Sequence, residues 1–82
     1  MVTWSKRWAE AKRFISKGGS DNRVAGILDV SRQAISVWET EENIPVLRAL
    51  QIEYISKGEF KWRELSPRAA LEVDRVLEFY PQ

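Results

Sequence analysis

The sequence predicts an all-α fold of four or five helices, and three observations support this. Apolar residues recur every three to four positions along most of the chain, which is the spacing of one helix face. Glycine is the usual residue just past a helix end, and it stands where such segments stop, at Gly18-Gly19 and at Gly58. Ser66-Pro67 is a typical helix start, because serine caps a helix and proline suits its first turn.

The individual elements follow from these signals. The first helix is expected from Thr3 to Lys17, with its tryptophan-bearing face in the core. Pro45 is expected at the first position of the fourth helix, because its missing N–H would be unpaired there anyway. Between Glu59 and Leu65 apolar and charged residues alternate, which predicts a short extended arm. The remaining helices are expected over residues 20–29, 31–40, 45–57 and 67–80.

Length and composition narrow the functional classes. A chain of 82 residues predicts a single domain spanning 1–82. It contains no Cys and no His. Because these are the usual metal ligands, and His is the usual near-neutral acid–base group, we expect no metal, no cofactor, no small-molecule ligand and no enzymatic activity. No apolar run is long enough to cross a membrane, and the first residues are not a secretory signal, so a cytoplasmic location is expected.

The charge is small in total but unevenly distributed. The formal net charge is +1, which does not by itself favour nucleic acid as a partner. Residues 1–19 hold five Lys and Arg against one Glu, whereas residues 20–42 hold five acids against two Arg. A basic segment that flanks a DNA-reading helix is one interpretation, and an ordinary solvated surface is the other.

Residues 20–40 carry the most informative pattern: two short helices joined by a tight corner. Ala25 falls where the two helices approach closely, and Ser31 is placed to cap the second helix. Asp29 stands at the corner, where the backbone must be left-handed, and Asp tolerates that conformation better than most residues. The pattern predicts a helix-turn-helix whose second helix enters the DNA major groove. Its expected inner-face residues are Val24, Leu28, Val30, Ile35 and Trp38.

Three consecutive pieces of the chain resemble a known family. VAGILDVSRQAISVWE, IPVLRALQIEYISKG and FKWRELSP resemble the small Cro repressors of lambdoid phages and the related YdaS-type regulators. The resemblance covers residues 20–65. It implies a compact helix-turn-helix domain of the lambda-repressor-like type. It also implies that a dimer binds a double-stranded DNA operator and represses transcription.

The outer face of the second motif helix supplies the candidate DNA contacts. Arg32 matches O6 and N7 of guanine with two hydrogen bonds, and Gln33 matches N6 and N7 of adenine. Ser36 donates or accepts one turn later, and Val37 offers a methyl contact to thymine. Polar groups at the helix ends are expected to meet phosphates, because free N–H groups lie at helix starts. The phosphate candidates are Ser20, Asn22, Arg23, Ser31 and Thr40.

Several acidic residues lie close to these candidates. Glu39, Glu41 and Glu42 cluster at the end of the reading helix, where they would repel phosphate. We therefore expect them to lie outside the groove. Asp21, at the start of the first motif helix, would repel a phosphate bound there unless it caps that helix or points away.

The chain has more apolar surface than one small core is expected to absorb. The fourth helix is apolar almost all round, so the C-terminal segment or a second subunit must cover it. A single reading helix touches few bases, which favours a homodimer on a palindrome with half-sites roughly 34 Å apart. The candidate dimer contacts are Phe60, Trp62, Val73 and Leu77. The alternative function is an antitoxin-like module that covers a partner protein, favoured by the apolar fourth helix and the weak net charge.

Overall fold

A computed structural model describes residues 3–79 and confirms the all-α prediction. Within that range there are six helices and no strand. They are α1 (Trp4–Ser16), α2 (Asp21–Leu28), α3 (Arg32–Glu41), α4 (Val46–Ile55), α5 (Trp62–Leu65) and α6 (Pro67–Phe79). The predicted end of the last helix at residue 80 lies outside the described residues. Helix α1 packs against α2, α4 and α5, so it is the central support of the fold.

The core is formed by the inner faces of α1, α2 and α3, closed by residues of the later segments. Trp8 and Ile15 are buried, which confirms that the tryptophan-bearing face of α1 is core. The Trp8 ring meets Trp38 of α3 edge-on, with centroids 6.3 Å apart, a favoured aromatic arrangement. Val30 packs against this core while partly exposed. The other inner-face residues predicted from the motif are buried: Val24, Leu28 and Ile35.

Side chains cap the helix starts at two of the predicted positions, Thr3 and Ser31, whereas Ser20 makes no cap hydrogen bond. The Thr3 hydroxyl accepts a hydrogen bond from the Lys6 N–H, and the Ser31 hydroxyl accepts one from the Ala34 N–H, at 3.2 and 3.1 Å. Helix α6 differs from expectation. Its cap comes from Asn43, whose Oδ1 accepts from the Arg68 N–H at 3.0 Å. The Ser66 hydroxyl is buried and has no hydrogen-bond partner among the described residues.

The corner between α2 and α3 has the conformation that the sequence predicts. Asp29 has φ 57° and ψ 49°, which is the left-handed region. Here the N–H groups of Asp29 and Val30 donate to the carbonyls of Gly26 and Ala25, which satisfies two of the four carbonyls at the end of α2. This turn sets the crossing of the two motif helices.

Substitutions at Asp29 should change the free energy of unfolding according to how well the new residue tolerates the left-handed conformation. Asp29→Gly is expected to raise the free energy of unfolding by up to about 1 kcal/mol, and Asp29→Val to lower it by about 1–2 kcal/mol. Urea denaturation measures both. Ser20→Val is the matched control, because Ser20 is exposed, has φ −78° and makes no cap hydrogen bond. An unchanged stability in Asp29→Val would contradict the assigned corner.

The predicted extended arm over residues 59–65 is wrong. Residues 62–65 form the short helix α5, and Phe60 is buried in the core rather than displayed on an arm. Two side-chain hydrogen bonds turn the chain: the Phe60 N–H donates to the Ser56 hydroxyl, and the Trp62 N–H donates to Glu53 Oε1 at 2.7 Å. Because the backbone finds local acceptors here, the alternating pattern forms a turn and a helix instead of a strand. Similarly, α4 begins one residue later than expected, so Pro45 precedes it.

Arg7 fastens α5 to α1. Its guanidinium donates to Glu64 Oε2 and to the Glu59 carbonyl, both at 2.6 Å, and lies 4.4 Å from the centre of the Phe60 ring. The hydrogen bond to Glu64 raises the pKa of Arg7 above its ordinary value, so the guanidinium stays charged. The segment after α4 is therefore held down on α1.

Helix α6 and one face of α4 remain largely uncovered. Helix α6 starts from α5, and none of its residues is buried. On α4, Ala49 and Ile52 face the core, whereas Leu47 and Tyr54 are 76% and 84% exposed. Of the two alternatives for covering α4, the C-terminal segment packs on α4 through α5 but leaves Leu47 and Tyr54 exposed, so a second subunit remains the alternative for that face.

Candidate nucleic-acid interface

Helix α3 is anchored by one face and presents the other to solvent. Ile35 and Trp38 are buried against α2 and α1. The four candidate base contacts all lie on the exposed side of the helix: Arg32, Gln33, Ser36 and Val37. The structure therefore brings these candidates together on one surface, at the start and middle of a rigidly held helix.

The two long polar side chains at the start of α3 are not engaged within the described part of the molecule. Arg32 forms no ion pair with a described carboxylate, and neither Arg32 nor Gln33 makes a side-chain hydrogen bond there. Their donors and acceptors are available to base edges, which is the requirement for two-bond recognition of guanine and adenine.

The hydroxyl groups of Ser31 and Thr40, two of the candidate phosphate contacts, form hydrogen bonds within α3. Thr40 Oγ1 donates to the Ser36 carbonyl at 3.1 Å, and the Ser31 hydroxyl serves as the cap of α3. Both residues are exposed. The Ser31 hydroxyl proton is still available to a phosphate, whereas Thr40 must first give up its bond within the helix.

The start of α2 forms the second part of the surface. Ser20, Asn22 and Arg23 are exposed there. The Arg23 and Val24 N–H groups already donate to the Ser20 carbonyl. The N–H groups before them are therefore the ones left for an anion, as at other helix N-termini.

A network around Lys12 was not predicted from the sequence. Lys12 Nζ lies 2.6 Å from Glu39 Oε2 on α3 and 3.2 Å from Asp21 Oδ1 at the start of α2. The same Glu39 oxygen accepts from Trp8 Nε1 at 2.9 Å. One available signal was the i, i+4 spacing of Trp8 and Lys12 on the core-bordering side of α1.

The Lys12 ammonium is stably charged. Its partial burial works to lower the pKa, but the hydrogen bonds to Glu39 and Asp21 outweigh that effect. The net result is a pKa above the ordinary lysine value. Lys12 therefore keeps its proton at neutral pH, and Asp21 points to it instead of capping α2.

The other acidic residues at the end of α3 also face the body of the protein. Glu41 lies 3.5 Å from an Arg68 guanidinium nitrogen on α6, and Glu42 accepts a hydrogen bond from the Ser5 hydroxyl on α1. Their carboxylates are engaged by the neighbouring helices rather than by the exposed stripe of α3.

The candidate dimer residues fall into two groups. Phe60 is 4% exposed, so its ring is buried inside the chain and is not available for a dimer contact. Trp62 is only partly buried against the core and stays a candidate, although the extended arm that was expected to display both residues does not exist. Val73 and Leu77 are exposed on α6 and border a groove of ≈ 360 Å³ that Val46 of α4 also lines.

Residues 3–79 contain no group of three or more His, Cys, Asp or Glu side chains placed to hold a metal ion. None of the described helices has the length and apolar character needed to cross a membrane.

Helix α3 follows α2 across a tight corner, packs its inner face against the core and presents Arg32 and Gln33 on its outer face. This arrangement is that of a helix-turn-helix DNA-binding protein. The chain belongs to the family of the DNA-binding transcriptional regulator Cro, whose family model matches residues 10–73. The match begins within α1 and ends within α6, so it extends beyond the resemblance drawn from residues 20–65 and confirms it. No curated protein and no solved structure matches the chain. The protein is a DNA-binding transcriptional regulator, and DNA is its partner.

Proposed function

We propose that the protein is a phage or prophage repressor that binds a palindromic operator as a homodimer. The observation that carries the proposal is the exposed stripe of α3, where Arg32 and Gln33 are unengaged within the described residues. In this proposal Arg32 reads a guanine, Gln33 reads an adenine, and Ser36 and Val37 contact the following bases. The phosphates on either side are met by Ser20, Asn22, Arg23, Ser31 and Thr40.

The uncovered face of α6 supports the homodimer. An isolated helix of 13 residues is marginal in water, so α6 needs an apolar partner surface to be stable. Its apolar stripe and the exposed part of α4 offer such a surface around Val46, Val73 and Leu77. Two copies joined there would present two reading helices, which doubles the number of bases recognised and places the half-sites roughly 34 Å apart.

The test of sequence recognition is a binding site selected from random DNA, followed by gel shifts at increasing salt. A repressor keeps its preference for the selected site as salt rises, although total affinity falls with the loss of the phosphate contribution. The exposed apolar residues Leu47 and Tyr54 are what an antitoxin-like protein-binding module would need. Such a module would show no preference for any sequence at any salt concentration, and that result would contradict the proposal.

The dimer contact is tested by placing charge on the proposed face of α6. Leu77→Asp should convert a dimer to a monomer and weaken operator binding, because burying a leucine contributes roughly 1.5–3 kcal/mol in each subunit. Leu71→Asp is the matched control, since Leu71 is similarly exposed but does not line the groove with Val73 and Leu77. Sedimentation equilibrium measures the mass and gel shifts measure the affinity.

Other outcomes of the same experiment would contradict the dimer. A Leu77→Asp protein that stays dimeric would place the contact elsewhere. A wild-type protein that is monomeric at high concentration, and binds a full palindrome no more tightly than one half, would exclude the homodimer. Deleting residues 67–82 should abolish the dimer while the remaining helices stay folded.

A further inference from the structure

Two carboxylates border the surface that is proposed to face DNA. Arg32, Ser36 and Glu39 have i, i+4, i+7 spacing, so the half-buried Glu39 borders the stripe of α3 that carries the proposed base contacts. Asp21 is the first residue of α2, at the end proposed to meet phosphate. Unbalanced negative charge at either position would repel the DNA backbone.

A single ammonium group reaches both carboxylates. Lys12 Nζ lies 2.6 Å from Glu39 and 3.2 Å from Asp21, so α1 is joined to both helices of the motif through one atom. We propose that Lys12 is a positioning residue for DNA binding, which holds Asp21 and Glu39 against α1 and lowers their combined charge from −2 to −1, so that they repel the phosphates less. The inference rests on α3 being the reading helix.

The surroundings of Glu39 separate this electrostatic role from a purely structural one. Trp8 Nε1 donates to the same Glu39 oxygen at 2.9 Å, so the carboxylate keeps a fixed partner when Lys12 is replaced. Partly exposed ion pairs contribute little to folding in general. Loss of the Lys12 charge therefore leaves the helices packed and leaves two uncompensated carboxylates beside the DNA.

The experiment compares variants on an operator selected with the wild-type protein, using fluorescence anisotropy over a range of salt concentrations. Lys12→Met keeps the aliphatic stem and removes the charge, and it is expected to bind about tenfold more weakly near 0.1 M salt, with the difference shrinking at higher salt. Lys12→Arg keeps the charge and should restore most of the affinity. The decisive variant is Lys12→Met combined with Asp21→Asn and Glu39→Gln, which should also regain most of the affinity because the repelling charges are gone.

Arg7→Met is the matched control. Arg7 also lies on α1 and binds two carboxylates, Glu10 and Glu64, but it faces α5 rather than α2 and α3. The folded Arg7→Met protein should bind the operator with unchanged affinity and unchanged salt dependence.

Two results would overturn the inference while leaving the proposed function intact. Lys12→Met that binds like the wild type would show that the charge is irrelevant. A triple variant as weak as Lys12→Met would show that Lys12 acts only by packing. If Lys12→Met does not fold, the double variant Asp21→Asn/Glu39→Gln is compared with the wild type instead. It should bind the operator several-fold more tightly, because both repelling charges are gone. Equal binding would overturn the inference. Failure of the wild type to select any operator would instead contradict the proposed function.

Discussion

Trp38→Ala is expected to unfold the protein, or to leave it only partly folded, at ordinary temperature. Trp38 is 6% exposed and meets the Trp8 ring at the junction of α1 and α3. Truncating a buried tryptophan costs about 3–5 kcal/mol, from lost burial and from the cavity left behind. The free energy of unfolding of small domains starts at about 5 kcal/mol, so this loss removes most of it.

Thermal denaturation followed by circular dichroism measures the effect. The control is Tyr54→Ala, which removes an aromatic ring that is 84% exposed and should shift the melting temperature little. A Trp38→Ala protein that melts like the wild type would contradict the packing of α3 against α1. The outward direction of Arg32 and Gln33 depends on that packing, so the proposed DNA contacts would have to be reassigned.

Arg32→Ala is expected to weaken binding to the selected operator and to relax its preference at one base pair. Loss of a two-bond contact to guanine costs about 1–3 kcal/mol, which corresponds to roughly five- to 150-fold in affinity. Arg32→Lys should recover part of the affinity but not the preference, because an ammonium group cannot reproduce the planar two-bond geometry.

The control is Arg23→Ala, at the start of α2. A phosphate contact carries no sequence information, so its loss should weaken binding to every sequence alike and reduce the salt dependence by about one ion. Measuring each variant on the operator and on single-base substitutions separates the two behaviours. Arg32→Ala that keeps both affinity and preference would show that α3 does not read the site through its first turn.

The helix-turn-helix could be predicted because its signals are local. Asp29 at the left-handed corner and Ser31 as the cap of α3 depend on residues within one turn of the chain. The burial of Leu28 and Ile35 follows from helical spacing alone. The exposed side of α3 is then the only side left for Arg32 and Gln33, so the candidate base contacts needed no knowledge of the other helices.

The misplaced features depend on side-chain hydrogen bonds that the periodicity of the sequence does not reveal. The alternation around Phe60 is compatible with a strand, but hydrogen bonds to Ser56 and Glu53 and the core pocket beside α1 make it a turn and a helix. The cap of α6 comes from Asn43, more than twenty residues away from Arg68. None of these three acceptors is marked by spacing or composition.

The helical class, the corner and cap of the motif, and the residues on the outer face of α3 follow from the sequence alone, since each depends only on backbone preference and helical period. Packing of the helices was needed to show which acids are paired with a cation, which apolar residues lie in the core and which stay exposed. Lys12 meets Glu39 and Asp21 only because α1 crosses both motif helices. Such pairings depend on the relative placement of whole helices, which is set by the sum of many packing contacts.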